Sequence, residues 1–204
     1  RDDYDSRDHS RVNRVFVEDV LSVSDQTSES ILDVGTGTAQ IPIELCRQHH
    51  AVRITALDLA ENMLRVGRQN VEQAGLQSSI TLELIDAKAM PYESCSFGAV
   101  ISNSIVHHIP RPEQVIAEMV RVVAHNGLLF VRDLMRPTSD EEVTNLVELY
   151  AGDCNDHQKQ MFDDSLRAAL SLEEMRQIVS GHGFQVETVQ ATTDRHWTWV
   201  AKAQ

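Results

Sequence analysis

The sequence predicts an α/β protein with a doubly wound sheet of seven strands, mostly parallel with an antiparallel last strand. Short β-branched apolar runs alternate with longer segments of helical periodicity, which is the pattern of βαβ units in a parallel sheet. Glycines follow the first apolar run, and an acidic residue follows each of the next two. The last two runs are only a few residues apart, too close for a parallel crossover, so these strands are predicted to pair antiparallel.

The elements of the N-terminal half follow from local patterns. Apolar residues at helical spacing predict the first helix, and a buried apolar run that stops at Gly35 predicts the first strand. The second helix tolerates Pro42 because a proline in the first turn sacrifices no helical hydrogen bond. The third helix ends before Gly75, a residue suited to a left-handed C-cap. The predicted elements are Ser10–Val23, Ile31–Val34, Gln40–Gln48, Arg53–Leu57, Ala60–Ala74 and Ile80–Ile85.

The C-terminal half adds four strands and a long helical segment. Residues 135–170 have helical rather than strand character, and we expect this insert and an N-terminal helix at about 8–23 to cover the active site. A length of 204 residues favours one domain that spans 1–204. The remaining predicted elements are Phe97–Ser102, Pro112–Val123, Gly127–Leu134, Leu172–Ser180, Phe184–Gln190 and His196–Lys202.

Composition and charge exclude several classes of partner. Eighteen basic residues against 31 acidic ones give a formal charge of −13, which argues against nucleic acid as a partner. No apolar run is long enough for a membrane span, and no signal peptide is visible. Cys46, Cys95 and Cys154 form no Cys-x-x-Cys pair, so we predict a reduced, cytoplasmic location and no metal site. The oligomeric state is left open.

Polar residues at the ends of three strands predict a nucleoside site. Gly35 and Gly37 allow a tight turn that a ligand can approach closely. Asp58 follows Gly37 by 21 residues, the offset of a carboxylate that accepts the two hydroxyls of a ribose, although it could also cap the next helix. Asp86, after the third strand, could accept from the exocyclic amine of adenine. Parallel strand ends meet at one edge of the sheet, so these side chains are expected together.

The charge of the site favours a cationic nucleoside without phosphate. A dinucleotide fingerprint would have a third glycine or alanine at position 40, where this sequence has glutamine. Asp33, two residues before Gly35, would repel a pyrophosphate and attract a cation. S-adenosylmethionine has an adenosine, a sulfonium and an ammonium and carries no phosphate. A nicotinamide-dependent oxidoreductase is the less favoured alternative.

Four segments resemble motifs of the class I S-adenosylmethionine-dependent methyltransferases, and the last resembles their small-molecule, type 11 branch. The resemblance extends from about Ser30 to Lys202. It implies a Rossmann-like sheet with a reversed last strand and methyl transfer from S-adenosylmethionine to a small molecule, with S-adenosylhomocysteine as product. A protein that binds the cofactor in a regulatory role is the alternative. The segments are Ile31–Ala39, Thr55–Leu64, Asp86–Pro91 and Phe97–Ile109.

The resemblance also implies which residues contact each part of the cofactor. The glycine turn would lie under the methionine moiety, Asp58 would hold the ribose, and the residues that follow strands three and four would lie at the adenine and the sulfonium. The N-terminal helix of this fold commonly covers the cofactor, which adds Tyr4. The implied contacts are Tyr4, Asp33, Gly35, Thr36, Gly37, Asp58, Leu59, Met63, Asp86, Ala87, Asn103 and Ser104.

Two histidines and one arginine are candidates beyond cofactor binding. The sulfonium already activates the methyl group, so a base is required only if the acceptor is protonated. His107 and His108 are the candidate bases, with His108 the first choice, although both could be structural. Arg136 could hold a substrate carboxylate or pair with Asp133.

Overall fold

The computed structural model describes residues 10–24 and 30–204, and within these ranges seven strands form one sheet. The strand order is β3-β2-β1-β4-β5-β7-β6, and β1 to β5 run parallel. The reversed strand β7 pairs antiparallel with both of its neighbours, which confirms the predicted sheet. The strands are β1 Ser30–Val34, β2 Arg53–Asp58, β3 Ile80–Leu84, β4 Phe97–Asn103, β5 Val123–Leu134, β6 Val189–Ala191 and β7 His196–Lys202.

Helices cover both faces of the sheet, as a doubly wound fold requires. Side chains of β5 alternate between the faces, with Phe130 packed under α1 and α2 and Val131 packed under α4 and α7. Helix α1 buries Phe16 edge-on against Phe130, with ring centroids 5.2 Å apart. The helices are α1 Ser10–Val23, α2 Gln40–Gln48, α3 Glu61–Gln73, α4 Pro112–Val122, α5 Asp140–Ala151, α6 Asp156–Ala168 and α7 Leu172–Gly181.

The sixth strand is much shorter than the predicted Phe184–Gln190. Only Val189–Ala191 pairs with β7, and a short 3₁₀ turn precedes it. Phe184 leaves the sheet and packs edge-on against Trp199 from a loop, with ring centroids 5.2 Å apart. An apolar residue buried from a loop looks the same in sequence as one buried from a strand, which is why the prediction was wrong here.

The insert at 135–170 consists of α5 and α6, which pack on each other and on the end of β5. Their shared core contains Leu134, Val143, Leu166 and Ala169. Helix α6 also packs against the short 3₁₀ turn Val106–His108, which we call the histidine turn. None of the helices in the described ranges has the length and apolar character that a membrane span requires.

Candidate functional site

The glycine turn after β1 is joined to both neighbouring strands. The N–H groups of Gly35 and Thr36 donate to the carbonyl of Leu57 at 2.8 and 2.9 Å, which fixes the turn on the end of β2. Gly35 has φ +81° and Gly37 has φ +56°, conformations that favour glycine. Ile105, after β4, lies so close to Gly35 that an added Cβ would be 2.1 Å from its Cγ2. Three strand ends therefore meet at this turn.

Asp33 is a buried carboxyl group with an unused hydrogen-bonding atom. Its exposed fraction is 1%. Within residues 10–24 and 30–204, neither its Oδ2 nor the buried Oγ1 of Thr36 has a hydrogen-bond partner. Burial raises the pKa of Asp33 to about 7; the neighbouring hydroxyl of Thr36 opposes this rise, and the negative charge of Asp58 adds to it. A buried acceptor without a donor is destabilising, so an ammonium ligand fits this position.

Asp58 is fixed by backbone donors from two elements. Its Oδ2 accepts from the N–H of Gly37 and its Oδ1 from the N–H of Ala60, both at 2.8 Å. The second bond caps the start of α3, so the capping alternative describes part of its role. An ionised carboxylate has about four acceptor positions. Two of them therefore remain for ligand hydroxyls.

An apolar side chain and a second carboxylate follow the neighbouring strands. Leu59, next to Asp58, is 63% exposed, and Met63 is half-buried with its Cε near Gly37. Asp86 accepts from the backbone N–H and the Nζ of Lys88 at 2.9 Å each, and these bonds keep its pKa below the usual range. Asp86 is therefore an ionised acceptor at neutral pH, beside the buried Ala87.

Two residues that the sequence did not single out fix the loop after Asp86. Arg121 of α4 donates to the carbonyls of Met90 and Tyr92 at 2.9 and 2.6 Å, and Glu118 accepts from the N–H of Met90 at 2.7 Å. In the sequence, Glu118 and Arg121 look like an ordinary ion pair on a helix surface. Their role depends on how α4 docks, which no local pattern reveals.

The segment after β4 has a left-handed residue and leads into the histidine turn. Ser104 has φ +60°, and its N–H donates to the carbonyl of Arg132 at 2.9 Å, so β5 fixes its position. Asn103, the last residue of β4, pairs in register with Arg132. Both predicted residues thus lie at the carboxyl edge of the sheet, shortly before the histidine turn in the chain.

The two adjacent histidines have different surroundings. Nδ1 of His107 lies 2.5 Å from Oδ1 of Asp133, a residue with 1% of its side chain exposed. His108 is exposed to solvent on one side, with its ring centroid 3.9 Å from that of His107. Partial burial lowers the pKa of His108, and His107 lowers it further, against smaller opposing effects of Asp133 and Asp58.

Arg136 does not pair with Asp133, so that alternative was wrong. Its Nη2 donates to Oε1 of Glu174 at 2.6 Å and its Nη1 to the carbonyl of Ala169 at 3.1 Å. These contacts join the end of β5 to α7 and to the end of the insert. A role for Arg136 in holding a substrate carboxylate stays a prediction, and Tyr4 lies outside the described residues.

Comparison with known proteins matches the central part of the chain to methyltransferases. A family model of type 11, described as a methyltransferase domain, matches residues 32–131. Methyltransferase GfsG of Streptomyces halstedii is 33% identical over 119 residues, which are 58% of this chain and 42% of that protein. Demethylmenaquinone methyltransferase of Porphyromonas gingivalis is 33% identical over 111 residues, 54% of this chain and 45% of that protein. The matched part is thus less than half the length of either relative.

The similarity in fold to known methyltransferases extends beyond residues 32–131. A solved structure of an S-adenosylmethionine-dependent methyltransferase from Aquifex aeolicus superposes with a TM-score of 0.70 and 18% sequence identity. The superposition covers 97% of this chain and 94% of that one. At this level of identity the likeness concerns the fold, which includes the reversed strand.

Proposed function

Over residues 32–131 the chain belongs to the methyltransferase domain family, in the type 11 branch of the class I S-adenosylmethionine-dependent enzymes, and from this we propose its activity. It transfers the methyl group of S-adenosylmethionine to a small-molecule acceptor by in-line displacement. The observation that carries the proposal is the buried carboxyl group of Asp33 beside the glycine turn, whose Oδ2 has no hydrogen-bond partner among residues 10–24 and 30–204.

The charges around the glycine turn support this ligand over a dinucleotide. Asp33, Asp58 and Asp86 lie at or just beyond the carboxyl ends of the three neighbouring strands β1, β2 and β3. A pyrophosphate there would face acidic side chains at short range, whereas an ammonium would be attracted. Asp58 would hold the ribose hydroxyls, Leu59 and Asp86 would contact the adenine, and Asp33 would face the ammonium.

When bound, S-adenosylmethionine supplies an electrophilic methyl group. The protein contributes mainly by holding donor and acceptor in line, and such orientation can supply on the order of 7–11 kcal/mol of the barrier. A small acceptor is favoured because the formal charge of −13 gives little scope for a phosphate-binding face. The name of the relative demethylmenaquinone methyltransferase fits this class of acceptor. The cytoplasmic location and the absence of a nucleic-acid partner stay predictions from the sequence.

The identity of the cofactor can be tested by measuring how much a bound ligand raises the stability of the protein. We expect S-adenosylhomocysteine at 100 times its dissociation constant to stabilise the protein by about 2.7 kcal/mol, or roughly 5–10 °C in melting temperature. We expect Asp58→Ala to weaken binding at least about tenfold in calorimetry, because the hydrogen bonds that ligand hydroxyls donate to the carboxylate are lost. Glu72→Ala, an exposed change near the C-terminal end of α3, is the matched control and should bind like wild type.

The same experiment separates the alternatives. A rise in melting temperature with NADH and none with S-adenosylhomocysteine would support an oxidoreductase and contradict the proposal. If the cofactor binds but a screen of acceptors releases no S-adenosylhomocysteine, a regulatory role is favoured. Unchanged affinity in Asp58→Ala would remove Asp58 from the site.

A further inference from the structure

A buried carboxylate at the end of β5 determines the hydrogen-bonding state of His107. Asp133 accepts from the N–H groups of Val106 and Leu134 at 2.5 and 2.6 Å, and its Oδ1 lies 2.5 Å from Nδ1 of His107. Because Asp133 is an acceptor toward both backbone groups, Nδ1 of the imidazole is the donor to it. In the neutral ring the lone pair is therefore on Nε2.

Nε2 of His107 is free to accept a proton. No hydrogen bond to this atom is formed within the part of the chain that the structure describes. Only 6% of the side chain is exposed, so the ring as a whole is largely buried. The atom therefore combines a fixed orientation with an available lone pair.

The histidine turn lies beside the proposed cofactor site. Ile105, which immediately precedes it, contacts Gly35 of the glycine turn. Asp58 acts electrostatically on His108, the last residue of the turn. Helix α6 packs against the turn from the insert. The histidine turn is thus next to the glycine turn on one side and in contact with α6 of the insert on another.

His107 is better placed than His108 to accept a proton, although the sequence ranks them in the opposite order. A carboxylate that holds Nδ1–H fixes the tautomer of an imidazole and stabilises the imidazolium that forms when Nε2 is protonated. His107 has this partner, whereas His108 is exposed and has no carboxylate contact within residues 10–24 and 30–204. The motif alone could not distinguish the two.

We propose that His107, positioned by Asp133, accepts a proton from the methyl acceptor, a hydroxyl compound or a protonated amine whose nitrogen gains its lone pair when the proton leaves. This inference rests on the proposed function. The acceptor oxygen or nitrogen forms the new bond to the methyl carbon, and the pair of electrons of the broken carbon–sulfur bond stays on sulfur. The proton that the acceptor loses passes to Nε2 of His107, so charge and atoms balance. Asp133 is a positioning residue in this step.

The test measures release of S-adenosylhomocysteine with catechol, glycerol, ethanolamine and dimethyl sulfide as acceptor probes. We expect turnover with at least one of the first three and none with dimethyl sulfide, which has no transferable proton. With that acceptor, His107→Ala should lower kcat about 100-fold or more while KM and the dissociation constant of S-adenosylhomocysteine change less than about threefold. His108→Ala should lower kcat less than His107→Ala does. His50→Ala, an exposed histidine just before β2 at the opposite edge of the sheet, is the control and should match wild type.

Two measurements separate proton transfer from a structural role. Added imidazole should restore part of the kcat of His107→Ala, because the substitution leaves room for it, and should leave wild type unchanged. Long-range proton–nitrogen spectra of wild type in alkaline buffer should show His107 protonated on Nδ1, with the signal assigned through His108→Ala. Asp133→Asn should lower kcat with little change in the affinity for S-adenosylhomocysteine.

Several outcomes overturn the inference. These are a His107→Ala variant within threefold of the wild-type kcat, a ring protonated on Nε2, or turnover of dimethyl sulfide alone. A wild-type protein that does not bind S-adenosylhomocysteine, or that binds it and turns over none of the four probes, contradicts the proposed function instead. The two failures are therefore distinguishable.

Discussion

Asp33→Asn is expected to stabilise the ligand-free protein at neutral pH and to weaken its binding of S-adenosylhomocysteine. Both effects come from one group, a buried carboxyl whose pKa in the folded protein is about 7 against an ordinary value of 3.8. The folded state disfavours its ionised form because burial removes water and because Asp58 adds negative charge. Asparagine has no such ionisation.

The sign of the pH dependence follows from the raised pKa. Between pH 3.8 and about 7 the unfolded state binds fewer protons at Asp33 than the folded state does. The contribution of Asp33 to the free energy of unfolding is therefore largest below pH 3.8, and this contribution is lost as the pH rises through about 7. A shift of this size corresponds to at most about 4 kcal/mol. The advantage of Asp33→Asn over wild type should grow across the same range.

Urea unfolding of both proteins at pH 5, 6, 7 and 8 measures this difference directly. Asp86→Asn is the opposite control, because Lys88 holds the pKa of Asp86 below its usual range and the neutral substitute loses those contacts. That variant should lose stability relative to wild type at neutral pH. A pH-independent difference between Asp33→Asn and wild type would show that the buried carboxyl is not titrating as described.

Ligand binding reports on the same carboxyl. An ammonium beside Asp33 favours its ionised form, so S-adenosylhomocysteine should release close to one proton per site near pH 6, and Asp33→Asn should release less. Calorimetry in two buffers of different ionisation enthalpy measures the proton count. The substitution should weaken binding by about 10–100-fold, the range of a charge-assisted bond. 5′-Methylthioadenosine, which lacks the amino-acid group, should bind both proteins equally.

The sheet and the strand-end residues could be predicted because their signals are local. An apolar run followed by Asp33 and the glycines identifies the end of β1, and Asp58 follows at a fixed offset along a βαβ unit. Neither inference requires knowledge of how distant elements pack. The parallel topology then places both residues at one edge of the sheet.

The partners of the polar residues could not be predicted because they depend on register and docking. Asp133 meets His107, 26 residues earlier, only because β4 and β5 pair in one register. Arg136 meets Glu174 because α7 docks beside the end of β5. In sequence, Asp133 and Arg136 are three residues apart with opposite charges, so a pair between them was a reasonable alternative. In the structure each side chain instead pairs with a residue that is distant in sequence.

Gly35→Ala is expected to be strongly destabilising because it combines backbone strain with a steric clash. At φ +81° an L-residue is strained by about 1–2 kcal/mol. The added Cβ would lie 2.1 Å from Cγ2 and 2.6 Å from Cδ1 of Ile105, so the side chain or the loop must move. Overpacking of this kind costs about 1–3 kcal/mol. The total is about 2–5 kcal/mol in the free energy of unfolding.

A second glycine separates the two contributions. Gly75 has φ +69° and nothing within 4 Å of an added Cβ, so Gly75→Ala should show the backbone strain alone, at about 1–2 kcal/mol. Ile105→Ala removes the two nearest atoms, so Gly35→Ala should be less destabilising in that background than in wild type. Chemical unfolding of the double-mutant cycle measures this coupling. Equal losses for Gly35→Ala and Gly75→Ala would contradict the contact with Ile105, and with it the close approach of the histidine turn to the glycine turn on which the placement of His107 depends.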